Sequence, residues 1–279
     1  MRYRRPRPSL AQGAATALMF GVLVFLLAPL LVVAAASLGP GDRPYVSFPP
    51  AGFSLHWYFE VPARYWQAIG FSLAVAAGTA LASVVIAIPA ALGLVRSSFR
   101  GKTFVALLLR APLQVPYVVT GIAFLQAYYL LGSATGLHLR ASYPGLVLGH
   151  LFLATPYAIG SIAAVLARLN PRLEEAAASL GASPWRVLRR VTLPVILPGI
   201  YGGALYAFII SFGEVPVALF LGGAGRTTFP VEMFTSMQFD FSPALLAVST
   251  AVLLISFAVL ILIQRSIGFD AVVRAGSAR

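Results

Sequence analysis

The chain has no cysteine among its 279 residues. That absence removes disulfides, thiol nucleophiles and cysteine-ligated metals, and leaves the redox compartment unreadable. Charge is scarce too: Asp, Glu, Lys and Arg make up 10% of the residues, where a soluble globule carries about 25%, and hydrophobic residues reach 59%. There are only eight acidic residues, and the three histidines, His56, His138 and His150, are scattered with no second ligand at metal spacing. His150 reads as a packed or hydrogen-bonded core residue. No Ser/His/Asp set or carboxylate pair falls on one membrane-facing cluster, so intramembrane hydrolysis has no support. Gly101-Lys102-Thr103 matches the end of a phosphate-binding loop, yet the position of its first glycine holds Arg96 and no strand precedes it. This chain is therefore not expected to bind ATP.

What is present is a series of long apolar runs. The first, about 13–38, follows an arginine-rich start and ends near Ala34-Ala35-Ala36, which resembles a signal-peptidase site. It exceeds the roughly 7–15 residues of a signal core, so an uncleaved span is expected. Further spans are expected at about 68–95, 103–131 (interrupted by Pro112 and Pro116), 144–167, 199–221 and 244–263. The chain thus reads as all-α, a polytopic membrane protein of six helices, with a basic N-terminus (1–12), a transmembrane region (13–264) and a basic tail (265–279). Gly145 and Gly149 form a GxxxG, a spacing that permits close helix packing.

The net charge of +12 would suggest nucleic acid in a soluble protein. Here the basic residues lie between spans and set orientation instead. With the N-terminus inside, 15 Lys and Arg fall on the inner side and four, Arg43, Arg64, Arg140 and Arg226, on the outer. Arg110, near the start of the third span, belongs to neither side; snorkelling explains it, pairing with a neighbouring subunit being the alternative. Both termini and the 168–198 region are expected in the cytoplasm.

The second half has one long polar interruption, Asn170 to Pro198, NPRLEEAAASLGASPWRVLRRVTLPVILP. Asn170-Pro171 is a helix start, and Glu174 and Glu175 sit where the helix dipole favours anions. Leu173, Ala176, Ala177 and Leu180 form a narrow apolar stripe, and Gly181 supplies a left-handed cap. Ser183-Pro184 begins a second short helix to Val191, after which Pro194 and Pro198 redirect the chain. A compact helix-turn-helix knob results. An isolated pair of two-turn helices is marginal, so its small-residue face needs a partner.

Glu175-Ala176-Ala177, three residues, Gly181, nine residues, then Val191-Thr192-Leu193-Pro194 resembles the EAA signature of binding-protein-dependent ABC importer permeases, with valine where the pattern usually has isoleucine. FSLHWYFE, FRGK, PLQVPYVVTGIAF, GHLFLATPY and SFGEVPVALFL resemble the spermidine/putrescine-type branch, whose relatives also import phosphonates, opines, ferric ions and thiamine. The resemblance implies a type I ABC importer permease (MetI-like) fold in a bacterial inner membrane. It implies that Glu174, Glu175, Ala176, Ala177, Leu180 and Gly181 couple to the ATPase. The partners it implies are two ATP-binding subunits holding ATP and Mg, a second permease (different or a second copy), an external solute-binding protein and lipid, with no nucleic acid. Glu214, an acid within an apolar run, has open readings: it lines a cationic substrate's path, it sits partly hydrated at the outer end of a proline-bent span, or it pairs with a partner's arginine. A secondary transporter or channel is the alternative class; it would call for more polar groups in the spans and an inverted repeat, neither of which is evident.

Overall fold

The computed structural model describes residues 10–42, 45–223, 225–239 and 241–267. The arginines of the N-terminal segment and most of the basic tail lie outside the described residues, as does Arg43. In chain order the α-helices are α1 (Leu10–Ala36), α2 (His56–Phe59), α3 (Ala63–Arg96), α4 (Lys102–Arg110), α5 (Tyr117–Thr135), α6 (Tyr143–Leu166), α7 (Arg172–Ser179), α8 (Pro184–Val187), α9 (Leu193–Phe212), α10 (Pro216–Leu221), α11 (Phe229–Phe239) and α12 (Pro243–Ile267). Among the described residues there is no strand, only an isolated bridge between Gly223 and Arg226.

Five stretches are long and apolar enough to cross a membrane: Gln12–Ala36, Ala63–Arg96, Tyr117–Thr135, Tyr143–Leu166 and the continuous Pro184–Phe212. Pro243–Ala258, within α12, is a shorter apolar stretch. The expected 103–131 span is not one helix. It splits into α4, a 3-10 turn at Ala111–Gln114 and α5, because Pro116 lacks an N–H and forces Val115 into extended backbone (φ −88, ψ 129). The expected 199–221 span also differs. It begins well before Gly199, since α8 runs through a π-turn at Leu188–Thr192 straight into α9, and it breaks after Phe212 before the separate α10. Pro194 therefore does not redirect the chain: Leu193 donates its N–H to Leu188 O, and the widened turn carries the helix past the proline. Between the expected fifth and sixth spans lies α11.

The chain divides into two compact units, residues 1–63 with 236–279, and residues 64–235. In the first, α1 and α2 pack against α12. Tyr58 Oη and Ser37 Oγ share a 2.7 Å hydrogen bond, and Trp57 Nε1 donates to Pro40 O at 3.2 Å. Along α1 the large apolar side chains are exposed, which suits a hydrocarbon solvent.

In the second unit α6 is the central helix, and its tightest partner is α9. Gly199 and Gly203 bring the two backbones together: a Cβ on Gly203 would meet Ala158 Cα at 3.1 Å, and one on Gly199 would meet Ser161 O at the same distance. Ser161 Oγ donates to Gly199 O at 3.0 Å across this seam, the small-residue packing that membrane helices use where burial from water gives no drive. One apolar cluster, with Ala87, Ile162, Leu166 and Ile196, fills this end of the unit, and another, with Val75, Leu146, Leu153, Val217 and Leu221, fills the other. The predicted GxxxG packs elsewhere: Gly145 lies on the Leu139 carbonyl, and Gly149 admits Val217 and Leu221 of α10.

Candidate functional site

The knob is built by local rules. Asn170 Oδ1 accepts the Arg172 N–H at 3.1 Å and opens α7. At the far end Gly181 has φ +82. Its N–H bonds to Ala178 O at 2.9 Å, and the Ala182 N–H bonds to Ala177 O at 3.1 Å. These two bonds define a Schellman cap, which fixes the angle between α7 and α8 without help from side chains. Beyond it, α8 is one piece with α9, so the knob stands on a transmembrane helix rather than on a hinged loop.

The predicted coupling residues divide between two faces. Glu175, Ala176 and Leu180 are exposed and Ala177 is half-buried. Leu180 is 89% exposed, with Leu173 and Trp185 also open. This apolar stripe has no partner within the second unit's described residues. Glu174, which the resemblance places in the same coupling set, instead turns inward. Its Oε1 accepts the Thr192 hydroxyl at 2.6 Å and its Oε2 pairs with Arg96 Nε at 2.8 Å. Arg96 also donates through its guanidinium to Leu169 O at 3.1 Å. Neither Arg96 nor Thr192 was singled out by sequence reasoning as a partner of Glu174. The available signal was slight: a basic residue at the last turn of one apolar run and a hydroxyl beside the Leu193-Pro194 pair.

Glu214 sits at the break between α9 and α10, with its side chain fully buried. Its two oxygens accept the N–H groups of Val217 and Ala218, each at 2.8 Å. It therefore caps α10, and its buried side chain pairs with no arginine among the described residues. His150 is fully buried beside it, sharing a 2.8 Å hydrogen bond between Nδ1 and Ser211 Oγ, with Nε2 3.7 Å from Glu214 Oε2. Arg110 is exposed at the end of α4. Two other ionisable residues that flank the spans pair with each other: Arg64 Nε lies 3.3 Å from Glu232 Oε1.

Known proteins give this geometry its context. Residues 83–268 match the family described as binding-protein-dependent transport system inner membrane component. The putrescine transport system permease protein PotI of Escherichia coli (strain K12) is 35% identical over 232 residues, 82% of either chain. The spermidine/putrescine transport system permease protein PotC of Haemophilus influenzae is 29% identical over 250 residues, 89% of this chain and 94% of that one. The putative 2-aminoethylphosphonate transport system permease protein PhnV of Salmonella typhimurium is 27% identical over 231 residues, 82% of this chain and 84% of that one. Among solved structures, a bacterial ABC transporter involved in import of the acidic polysaccharide alginate aligns with a TM-score of 0.69 at 17% identity, covering 94% of this chain and 98% of that one. At that identity the likeness speaks for the fold. With two thirds of its length in the family match and a 35% identical relative aligned over 82% of it, the chain belongs to the binding-protein-dependent transport system inner membrane components and is a multi-pass permease subunit of an ABC importer.

Proposed function

We propose that this permease imports a small polyamine handed over by an external binding protein, and that α7 with its Schellman turn docks on the cytoplasmic ATPase that drives it. The observation that carries the docking is the exposed stripe of Leu173, Ala176 and Leu180 along capped α7 and its turn, set by that turn against α8, where Trp185 is also exposed and which runs continuously into a membrane span. ATP and magnesium bind on the ATPase pair, and this chain contributes no catalytic group. Fifteen basic residues against four favour the orientation that puts this knob, and both termini, inside. A second permease subunit completes the path. Closure of the two ATPases on ATP pushes the knobs together, and the attached helices rock the path open to the outside.

The polyamine assignment is supported by the 35% identity to a putrescine permease. It places selectivity mainly with the binding protein, because the carboxylate of Glu214 is spent on the cap of α10. Burial of one leucine side chain contributes about 1.5–3 kcal/mol. Leu180→Asp should therefore weaken co-purification with the cognate ATPase by roughly ten- to hundredfold, and uptake of labelled putrescine should fall with it. Unchanged recovery of the ATPase in Leu180→Asp and Gly181→Asp together would remove the docking assignment. Uptake that labelled putrescine does not show, but labelled 2-aminoethylphosphonate does, would overturn the substrate.

A further inference from the structure

The carboxylate of Glu174 is where three membrane helices meet the knob. Oε2 reaches Arg96 at the last turn of α3 at 2.8 Å, and Oε1 holds Thr192, the last residue of the π-turn that leads into α9, at 2.6 Å. The same arginine is tied to Leu169 O, in the turn that leaves α6, at 3.1 Å. Thr192 is only 2% exposed, and the side chains of Arg96 and Glu174 are 24% and 20% exposed, so water and salt screen this set weakly.

The covalent chain makes these contacts unequal. The backbone joins α7 directly to α6 on one side and to α9 on the other. It does not join α7 to α3, which is separated from the knob by α4, α5 and α6. Among the described residues Arg96 ties α3 to α7 through its ion pair with Glu174. We propose that Glu174 is a positioning residue: with Arg96 and Thr192 it latches α7 to α3 and α9, so that displacement received on the exposed stripe moves both helices as one body instead of being absorbed in the knob's connections. This deepens the docking reading above and rests on it for the source of the displacement, but the latch itself is internal to the chain.

The two arms separate by substitution. Glu174→Gln keeps an acceptor for Thr192 and loses the charge that holds Arg96. Thr192→Val removes only the hydroxyl. Because the protein has no cysteine, two spin labels can be placed at Ser97→Cys, beside the end of α3, and Ser179→Cys, on α7, both exposed. In the full transporter in nanodiscs, the distance between the labels is expected to be a single narrow peak, unshifted between the nucleotide-free and ATP-vanadate states. Glu174→Gln and Arg96→Gln should each lose that narrow peak, and the double substitution should do no worse than either alone. Arg96→Lys, which keeps the charge, should restore it, and Thr192→Val should leave it in place while broadening a pair set between α7 and α9. A gross folding defect would not be rescued by lysine. An equally narrow peak in Glu174→Gln and Arg96→Gln overturns the latch. Failure of docking is seen separately, as ATPase recovery insensitive to Leu180→Asp.

Discussion

Glu214 offers a test in which charge and geometry give opposite orders. The carboxylate holds two backbone N–H groups, those of Val217 and Ala218, at 2.8 Å each, and both residues are buried. Each N–H left without an acceptor costs about 1–3 kcal/mol. Glu214→Gln keeps one oxygen for one N–H and turns its amide toward His150 Nε2, a buried atom with no hydrogen-bond partner. Glu214→Ala strands both N–H groups and leaves a cavity. The gain from no longer burying a carboxylate is common to the two variants and cancels between them. Alanine should therefore fall below glutamine by at least one stranded N–H, about 1–3 kcal/mol. Glu214→Asp keeps the full charge but is one methylene shorter and cannot span to both donors from the same backbone position, so it should also lose stability. The assay is thermal inactivation of the purified transporter in detergent, followed by monodispersity, alongside uptake of labelled putrescine. If aspartate and glutamine both melt with the native protein, and uptake is lost in glutamine alone, the carboxylate serves a cation in the path and the cap reasoning is refuted.

Other expectations follow from single positions. At Gly181 a Cβ would meet nothing within 4 Å, so Gly181→Ala should cost only the left-handed backbone at φ +82, about 1–2 kcal/mol; Gly181→Asn should cost less, and equal ATPase co-purification for alanine, asparagine and glycine would contradict the cap. Gly203→Ala puts a methyl 3.1 Å from Ala158 Cα and should destabilise the α6–α9 seam by about 1–3 kcal/mol, read as a lower melting temperature, whereas Gly160→Ala, with open space around it, should be neutral.

Much of the fold was legible because bilayer thickness and proline chemistry act locally. Apolar length marked α1, α3, α6 and α12, and the two prolines in the third run marked where it breaks, though not that the piece before the break would be the separate helix α4. The fifth run was harder. Pro194 reads as a stop signal in sequence, and only the register of the π-turn, with Leu193 bonded to Leu188 O, lets the helix pass it. At the other end, Gly213 and Pro216 were visible, but the use of Glu214 as the acceptor that makes a new helix start affordable inside the bundle depends on where α5 and α6 leave room for α10.

The same limit decides the knob. Successive residues on a helix point about 100° apart, so Glu174 and Glu175 cannot share one role. Sequence fixes that they differ, since only one of them can lie beside the stripe, yet helix-dipole reasoning treats them alike. The choice is made by a residue far back in the chain: Arg96 arrives at the end of α3 within 2.8 Å of position 174, and Thr192 closes the other oxygen at 2.6 Å. Glu175 is thereby left to the exposed face and Glu174 to the interior. In the docking and latch proposed above, the docking face and the anchor sit on adjacent residues, which leaves the knob almost no length over which to bend before a push on it reaches a span.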